Sequence, residues 1–180
     1  MVVDLGTGHG RAVLARAASE PGSFVIGIDA QADAMAEASR RAARGPAGRR
    51  LENAWFMVEA AEALPGPLAG VAALVTVTMP WGSLLRGVLG LDPAAMRGIA
   101  SIVAPGGRIE TIVSVIPTDH VDGLGDLGPE AVVRVASAWS DLGFELVSSR
   151  PASADDLRPA RSSWARRLGD RPITRLELVR

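Results

Sequence analysis

Val2-Val3-Asp4-Leu5-Gly6-Thr7-Gly8-His9-Gly10 opens the chain, and its reading decides the fold. A short apolar run, Val2 to Leu5, ends in three glycines at alternate positions. Arg11 to Ser19 then has helix composition and is stopped by Pro21-Gly22. Strand, glycine turn and helix together let the backbone approach a ligand closely, because glycine has no Cβ to hold it off. Phe24 to Ile28 is a second apolar run, closed by Asp29. That acid lies about 20 residues beyond the glycines, the spacing at which a carboxylate grips a ribose diol. The plain alternative is a structural turn without a ligand.

Outward from this stretch the alternation continues. Ala32 to Arg44 reads as a helix ended by Gly45-Pro46. Strands are expected at Trp55 to Val58, Val71 to Val77, Arg108 to Ile116, Phe144 to Ser149 and Ile173 to Val179. Helices are expected at Ser83 to Leu89, Pro93 to Val103 and Pro129 to Leu142. Pro105-Gly106-Gly107 reads as a turn, Pro117 to Gly128 as a mobile loop, and Pro151 to Leu168 as irregular and Arg-rich. Strands alternating with helices predict an α/β fold: a Rossmann-like, mostly parallel seven-stranded sheet with helices on both faces. The 180 residues fit one domain.

Composition narrows the function. With no cysteine and only His9 and His120, neither a disulfide framework nor a metal cluster is expected. No apolar run approaches the ~20 residues needed to cross a bilayer, and no charged-then-apolar leader precedes the first strand. The expectation is a cytoplasmic protein. A net charge of −1 argues against indiscriminate coating of nucleic acid. All 19 basic residues are arginine, each a planar fork suited to phosphate and able to stack on bases.

The second informative stretch is Met79-Pro80-Trp81-Gly82-Ser83-Leu84-Leu85-Arg86-Gly87. Trp81 follows a proline at the carboxyl end of an expected strand, where open α/β sheets bind ligands. Trp164 lies in Arg161-Ser162-Ser163-Trp164-Ala165-Arg166-Arg167. Aromatics interleaved with arginine suit an extruded base, since stacking contributes ~1–3 kcal/mol per base. Core packing is the competing reading for these two. It is the preferred one for Trp55 and Trp139. Arg40, Arg41 and Arg44 share one helix face and Arg49 and Arg50 follow, either as a solvated face or as a phosphate-docking surface.

Asp-x-Gly-x-Gly-x-Gly resembles the S-adenosylmethionine (SAM) loop of class I methyltransferases. The stretch from Met79 to Gly90 resembles the signature of the Kam/Npm aminoglycoside-resistance methyltransferases, which modify N1 of adenosine 1408 in 16S ribosomal RNA. The likeness extends over Ile26 to Asp29, the basic stretch to Arg50, Ala60 to Pro65, and Ser163 to Leu168. It implies SAM as cofactor, with Asp4, Gly6, Thr7, Gly8, Gly10, Asp29, Ala60, Ala61, Glu62, Met79 and Ser83 at its site. For Glu62 an ordinary helix-capping role is the alternative.

The resemblance further implies Trp81 and Trp164 around a flipped adenine, with Ser83 beside them. Arg40, Arg41, Arg44, Arg49, Arg50, Arg166, Arg167 and Arg171 would meet RNA. The implied partner is the 30S subunit around helix 44 of 16S rRNA, met by a monomer without a metal. N1 of neutral adenine has an in-plane lone pair, so no general base is needed and catalysis reduces to positioning.

Three departures stand out. The hairpin that the family carries ahead of its first strand has no counterpart here. The loop Asp122 to Asp126 has no arginine. The segment after Leu168 is short, leaving Arg171 as the candidate phosphate contact there. A class I methyltransferase for another RNA or a small molecule, and a non-catalytic SAM-binding module, are the competing readings.

Overall fold

A computed structural model describes residues 1–44, 50–121, 124–157 and 171–180. The chain runs β1 (Val2–Leu5), α1 (Arg11–Ser19), β2 (Val25–Asp29), α2 (Ala32–Arg44), β3 (Ala54–Val58), β4 (Ala72–Thr78), α3 (Gly82–Val88), α4 (Pro93–Ile102), β5 (Val103–Val113), α5 (Pro129–Ser140), β6 (Glu145–Pro151), α6 (Ala154–Leu157) and β7 (Thr174–Val179). The strands form one seven-stranded sheet ordered β3-β2-β1-β4-β5-β7-β6. β1 to β5 run parallel, and β7 lies antiparallel between β5 and β6. The expected sheet is therefore the observed one.

Strand alternation sorts side chains onto two faces. Val3 and Leu5 join Ile26, Ile28, Val75 and Val77 in the larger core, beneath α3, α4 and α5. Val2 joins Val13, Leu14, Val25 and Ala38 under α1 and α2. Helix starts follow local chemistry. Asp92 caps α4 by accepting from Ala94 N (3.0 Å) and Ala95 N (3.1 Å), with Pro93 at the first helical position.

Register places the carboxyl ends of β1, β2 and β4 at one level, with Leu5 beside Ile28 and Val77. From β1 the chain first winds outward through β2 and β3, then crosses to β4. The reversal leaves a crevice between β1 and β4, where sheets of this kind bind ligands.

Several local expectations change. β5 includes Pro105-Gly106-Gly107 instead of starting after it. The ladder slips between Ala72 and Leu74 opposite this stretch, and a Cβ on Gly107 would lie 2.8 Å from the Ala72 carbonyl oxygen. The strand also stops at Val113. Ile116 N instead donates to the Asp119 carboxylate (3.0 Å), which draws the chain into a 3-10 turn at Pro117–Asp119. The segment read as a mobile loop is pinned to the core by Val121 and Leu124. Within the stretch read as irregular, Asp156 organises α6 by accepting from Ser153 N (2.7 Å) and from both Arg150 Nη atoms (2.7 and 2.8 Å).

The two tryptophans assigned to the core part ways. Trp139 is fully buried; its indole N–H donates to Val88 O (3.1 Å), and its ring meets Phe144 edge-on. Trp55 is 61% exposed, which corrects the core assignment. β3 is the sheet edge, so no neighbouring strand shelters Trp55. Its ring tilts against Phe24, and its N–H donates to Glu52 O.

Candidate active site

The glycine loop is shaped before any ligand arrives. Gly6 N and Thr7 N donate to Ile28 O (2.8 and 3.1 Å), and Gly10 N donates to Thr7 O. Gly10 has φ 61, and a Cβ there would lie 2.5 Å from the Phe56 ring and 2.6 Å from Ala38. Only glycine meets both demands, a left-handed backbone and contact with β3 and α2. Gly10 thus shapes the loop from behind and does not line the cleft, unlike the other predicted loop residues.

Asp29 latches this loop. Its carboxylate accepts from Gly8 N (2.8 Å) and from Gln31 N (2.9 Å). A carboxylate offers about four acceptor positions, so roughly half remain for a diol. Asp4 is buried and accepts from Thr76 Oγ1 at 2.6 Å. Burial pushes its carboxyl above the ordinary carboxylate range, and the Thr76 hydroxyl pulls it partly back. The Thr7 hydroxyl, buried on the same loop, pulls the Asp4 carboxyl down as well.

The facing walls come from the ends of β3 and β4. After β3, Glu59 N donates to Asp29 O (3.1 Å), and the chain makes a 3-10 turn, Ala61–Ala63. That turn has no side-chain cap, which removes the capping role considered for Glu62. Glu62 lines the cleft with Ala60 and Ala61.

At the end of β4, Met79 has φ 51, a left-handed conformation uncommon for a non-glycine residue and disfavoured before proline. Its N–H still bonds Ile112 O (2.7 Å). Its side chain packs with Ile112, Ala152, Leu157 and Ile173. Anchored on both counts, Met79 turns Pro80 and Trp81 off the sheet. Trp81 stands at the N-cap of α3, 52% exposed on the rim, with Ser83 in the first turn behind it.

Together these walls enclose a cleft of about 640 Å³. Predicted residues Asp4, Gly6, Thr7, Gly8, Asp29, Ala60, Ala61, Glu62, Met79, Trp81 and Ser83 all line it. Sequence reasoning missed His9, Arg11, Gln31, Glu59, Thr78 and Leu84, which line it as well. All six lie within the recognised motifs or one or two residues from them. A smaller hollow of about 200 Å³ adjoins on the α1 side of the sheet, and Asp4 lines both.

The predicted basic residues divide. Arg41, Arg44 and Arg50 are exposed. Arg40 is exposed but pairs with Glu37 (2.9 Å) one turn earlier. Arg171 is largely covered and paired with Asp119, with its Nε buried and unpartnered. Its charge is thus shared with Asp119, with about 20% of the side chain left exposed. Arg49, Trp164, Arg166 and Arg167 lie outside the described residues.

Comparisons with known proteins converge on one family. The family model described as NpmA, 16S rRNA (adenine(1408)-N(1))-methyltransferase, matches residues 1–177. The 16S rRNA (adenine(1408)-N(1))-methyltransferase of Streptoalloteichus hindustanus is 35% identical over 173 residues, covering 93% of this chain and 80% of that protein. A mutant 16S rRNA (adenine(1408)-N(1))-methyltransferase from Catenulisporales acidiphilia, crystallised with cosubstrate SAM, superposes with TM-score 0.87 at 34% identity, over 99% of this chain and 84% of that one. The aminoglycoside resistance methyltransferase NpmB1 gives TM-score 0.81 at 37% identity, over 99% and 85%. With a family model that spans nearly its whole length and relatives above 30% identity, this chain belongs to the NpmA family of 16S rRNA (adenine(1408)-N(1))-methyltransferases.

Proposed function

We propose that this chain, as a single domain, transfers a methyl group from SAM to N1 of adenosine 1408 in 16S rRNA and thereby confers aminoglycoside resistance. The observation that carries the reading is Trp81, half exposed on the rim of a cleft whose floor is the Asp29-latched glycine loop. A buried aromatic would serve packing alone. One displayed beside a nucleoside-sized cleft serves a flat ligand.

The residues fit the cofactor. About 640 Å³ lies within the 300–1,000 Å³ usual for small-molecule sites. Asp29 keeps acceptor capacity for a ribose diol after bonding Gly8 N and Gln31 N. Asp4, Gly6, Gly8, Ala60, Ala61, Glu62, Met79 and Ser83 complete the set that would hold it. When bound, SAM supplies a methyl on a sulfonium that leaves with the bonding pair, so the N1 lone pair takes the methyl without prior deprotonation.

The protein's share is positioning. N1 is occupied by pairing or stacking in folded RNA, so the base is extruded to reach the cleft. Trp81 stacks on one face of it, and Trp164 is proposed for the other. An aromatic face also favours the cationic ring that results. Ser83, in the first turn of α3, lines the same cleft. Arg40, Arg41, Arg44, Arg49, Arg50, Arg166 and Arg167 are proposed to dock on phosphates around helix 44 of the 30S subunit. Arg171 joins them only where RNA displaces Asp119.

Among the described residues, no helix is long and apolar enough to cross a membrane and no acidic or histidine group is arranged for a metal. A metal-free monomer working in the cytoplasm is part of the proposal. The test is transfer of tritiated methyl from SAM to isolated 30S subunits, mapped by primer extension. A reverse-transcription stop at adenosine 1408 is the expected outcome. A stop elsewhere assigns another RNA site, and SAM binding without incorporation assigns a non-catalytic module.

A further inference from the structure

Gly98 sits in the interior of α4, outside the cleft, and its backbone does not require glycine. Glycine there is less favourable to the helix than alanine. The reason for keeping it is contact. A Cβ on Gly98 would fall 1.7 Å from the Ala61 carbonyl oxygen and 2.9 Å from the Ala61 carbonyl carbon. α4 therefore lies directly against the backbone of the turn that brings Ala61 and Glu62 to the cleft.

The other flank of α4 repeats the arrangement. Gly87, inside α3, faces it: a Cβ there would lie 2.7 Å from Ala95 Cβ and 3.4 Å from Ile99 Cδ1. α3 starts beside Trp81 and carries Ser83. One helix thus backs both walls of the cleft, the Glu62 turn through Gly98 and the Trp81 side through Gly87.

We propose that Gly98 is a positioning residue for the cofactor, setting from behind how far the Ala61–Ala63 turn stands from the glycine loop. The direction of yielding follows from packing. Met96, Ile99 and Ile102 of α4 are themselves buried in the core, so a retreat of the helix would disrupt that packing. Among the described residues, the hydrogen bonds that tie this segment to other elements lie at its flanks, Glu59 N to Asp29 O and Gly70 N to Ser101 O of α4, while Ala61 and Leu64 add only partly buried apolar packing. A side chain at position 98 restores an ordinary C···O contact only by moving the turn more than ~1 Å toward the cleft. Displacements of that size in a positioning element are costly to binding and catalysis.

This inference rests on SAM as the ligand of the cleft, so titration of the unmodified protein comes first and tests that reading alone. Calorimetric titration of Gly98→Ala is then expected to show SAM and S-adenosylhomocysteine bound about tenfold more weakly or worse. In steady state KM for SAM should rise in parallel, with kcat at saturating SAM within about threefold. Gly107→Ala crowds another backbone carbonyl, 2.8 Å from Ala72 O at the far end of β4 from the cleft, and should keep the SAM Kd within about twofold while lowering the melting temperature. Unchanged SAM affinity in folded Gly98→Ala, or equal weakening in Gly107→Ala, overturns the proposal. If Gly98→Ala does not fold, hydrogen exchange in the unmodified protein decides. S-adenosylhomocysteine should slow exchange in the Ala61–Ala63 turn and in α4 near Gly98 together, and protection confined to the turn overturns the coupling.

Discussion

The cofactor side of the cleft and the arginine surface are built on opposite plans. On the cofactor side, polar groups are bonded to one another beforehand: Asp29 to Gly8 and Gln31, Asp4 to Thr76, Gly6 and Thr7 to Ile28. On the surface, Arg41, Arg44 and Arg50 project into solvent. A small ligand of fixed shape rewards preorganisation, because ordering costs are met during folding. A folded RNA is recognised largely by shape and phosphate, which long adaptable cations can follow. Trp81 stands between the two plans: an exposed ring two residues beyond the left-handed, firmly anchored Met79.

The most severe test of this contrast is Trp81→Ala. Methyl transfer to 30S subunits should fall about 100-fold or more, since stacking and alignment of the base are both lost. SAM affinity should stay within about twofold. Calorimetry showing lost SAM binding would make Trp81 part of the cofactor wall and erase the boundary between the two sides.

Asp29→Ala attacks the preorganised side. It removes the acceptor for two backbone N–H groups and the proposed ribose contact together. Hydrogen bonds to a charged group contribute ~1.5–3 kcal/mol each, so SAM should bind about 10- to 100-fold more weakly. Subunit binding measured without SAM should be unaffected. A parallel loss of subunit affinity would mean that the glycine loop also shapes the RNA surface.

On the arginine side, Arg41→Glu should weaken 30S binding several-fold and reduce the salt slope by about one. Arg40→Glu should cost less, because Arg40 already shares its charge with Glu37. Equal slopes for the two variants would show that the Arg40–Glu37 pair opens freely on RNA, as weak exposed pairs can.

How much of this was legible in the sequence follows the range of the interactions. The glycine loop and Asp29 are local chemistry repeated over short spacings, and the strands and helices follow period and punctuation. Trp81 was legible because proline and strand end sit beside it. Contacts between distant segments were not. Arg171 looks like a free phosphate ligand until the fold brings Asp119, 52 residues away, against it. Trp55 reads as core until β3 proves to be the sheet edge. Gly98 carries no local signal, since its reason is the backbone of a turn nearly forty positions earlier. Trp164, Arg166 and Arg167 keep the standing the sequence alone confers.

The gentlest prediction concerns two carboxylates with opposite pH dependence. Asp156, gripped by Arg150 and the Ser153 N–H, has its pKa held below the ordinary carboxylate range. Its contribution is present above an unfolded carboxylate's pKa near ~4 and is lost as pH falls through the lower folded value. The pair is near the surface, so Asp156→Asn should cost only ~1 kcal/mol or less at neutral pH, or about 2–4 °C of melting temperature in a chain of this size. Asp4 is the reverse case. Burial raises its pKa, so the fold favours the protonated form, and that stabilisation fades as pH rises above the unfolded value. Asp4→Asn keeps an oxygen for the Thr76 hydroxyl and removes the buried charge. Its melting temperature should rise relative to the unmodified protein at pH 7 and converge with it in acid, while SAM affinity falls. Asp4 would then be a group retained for the cofactor at the expense of the fold. A melting temperature that drops at pH 7 would instead make the Asp4 carboxylate a structural anchor of β1 and β4, and the preorganised side would extend down into the sheet.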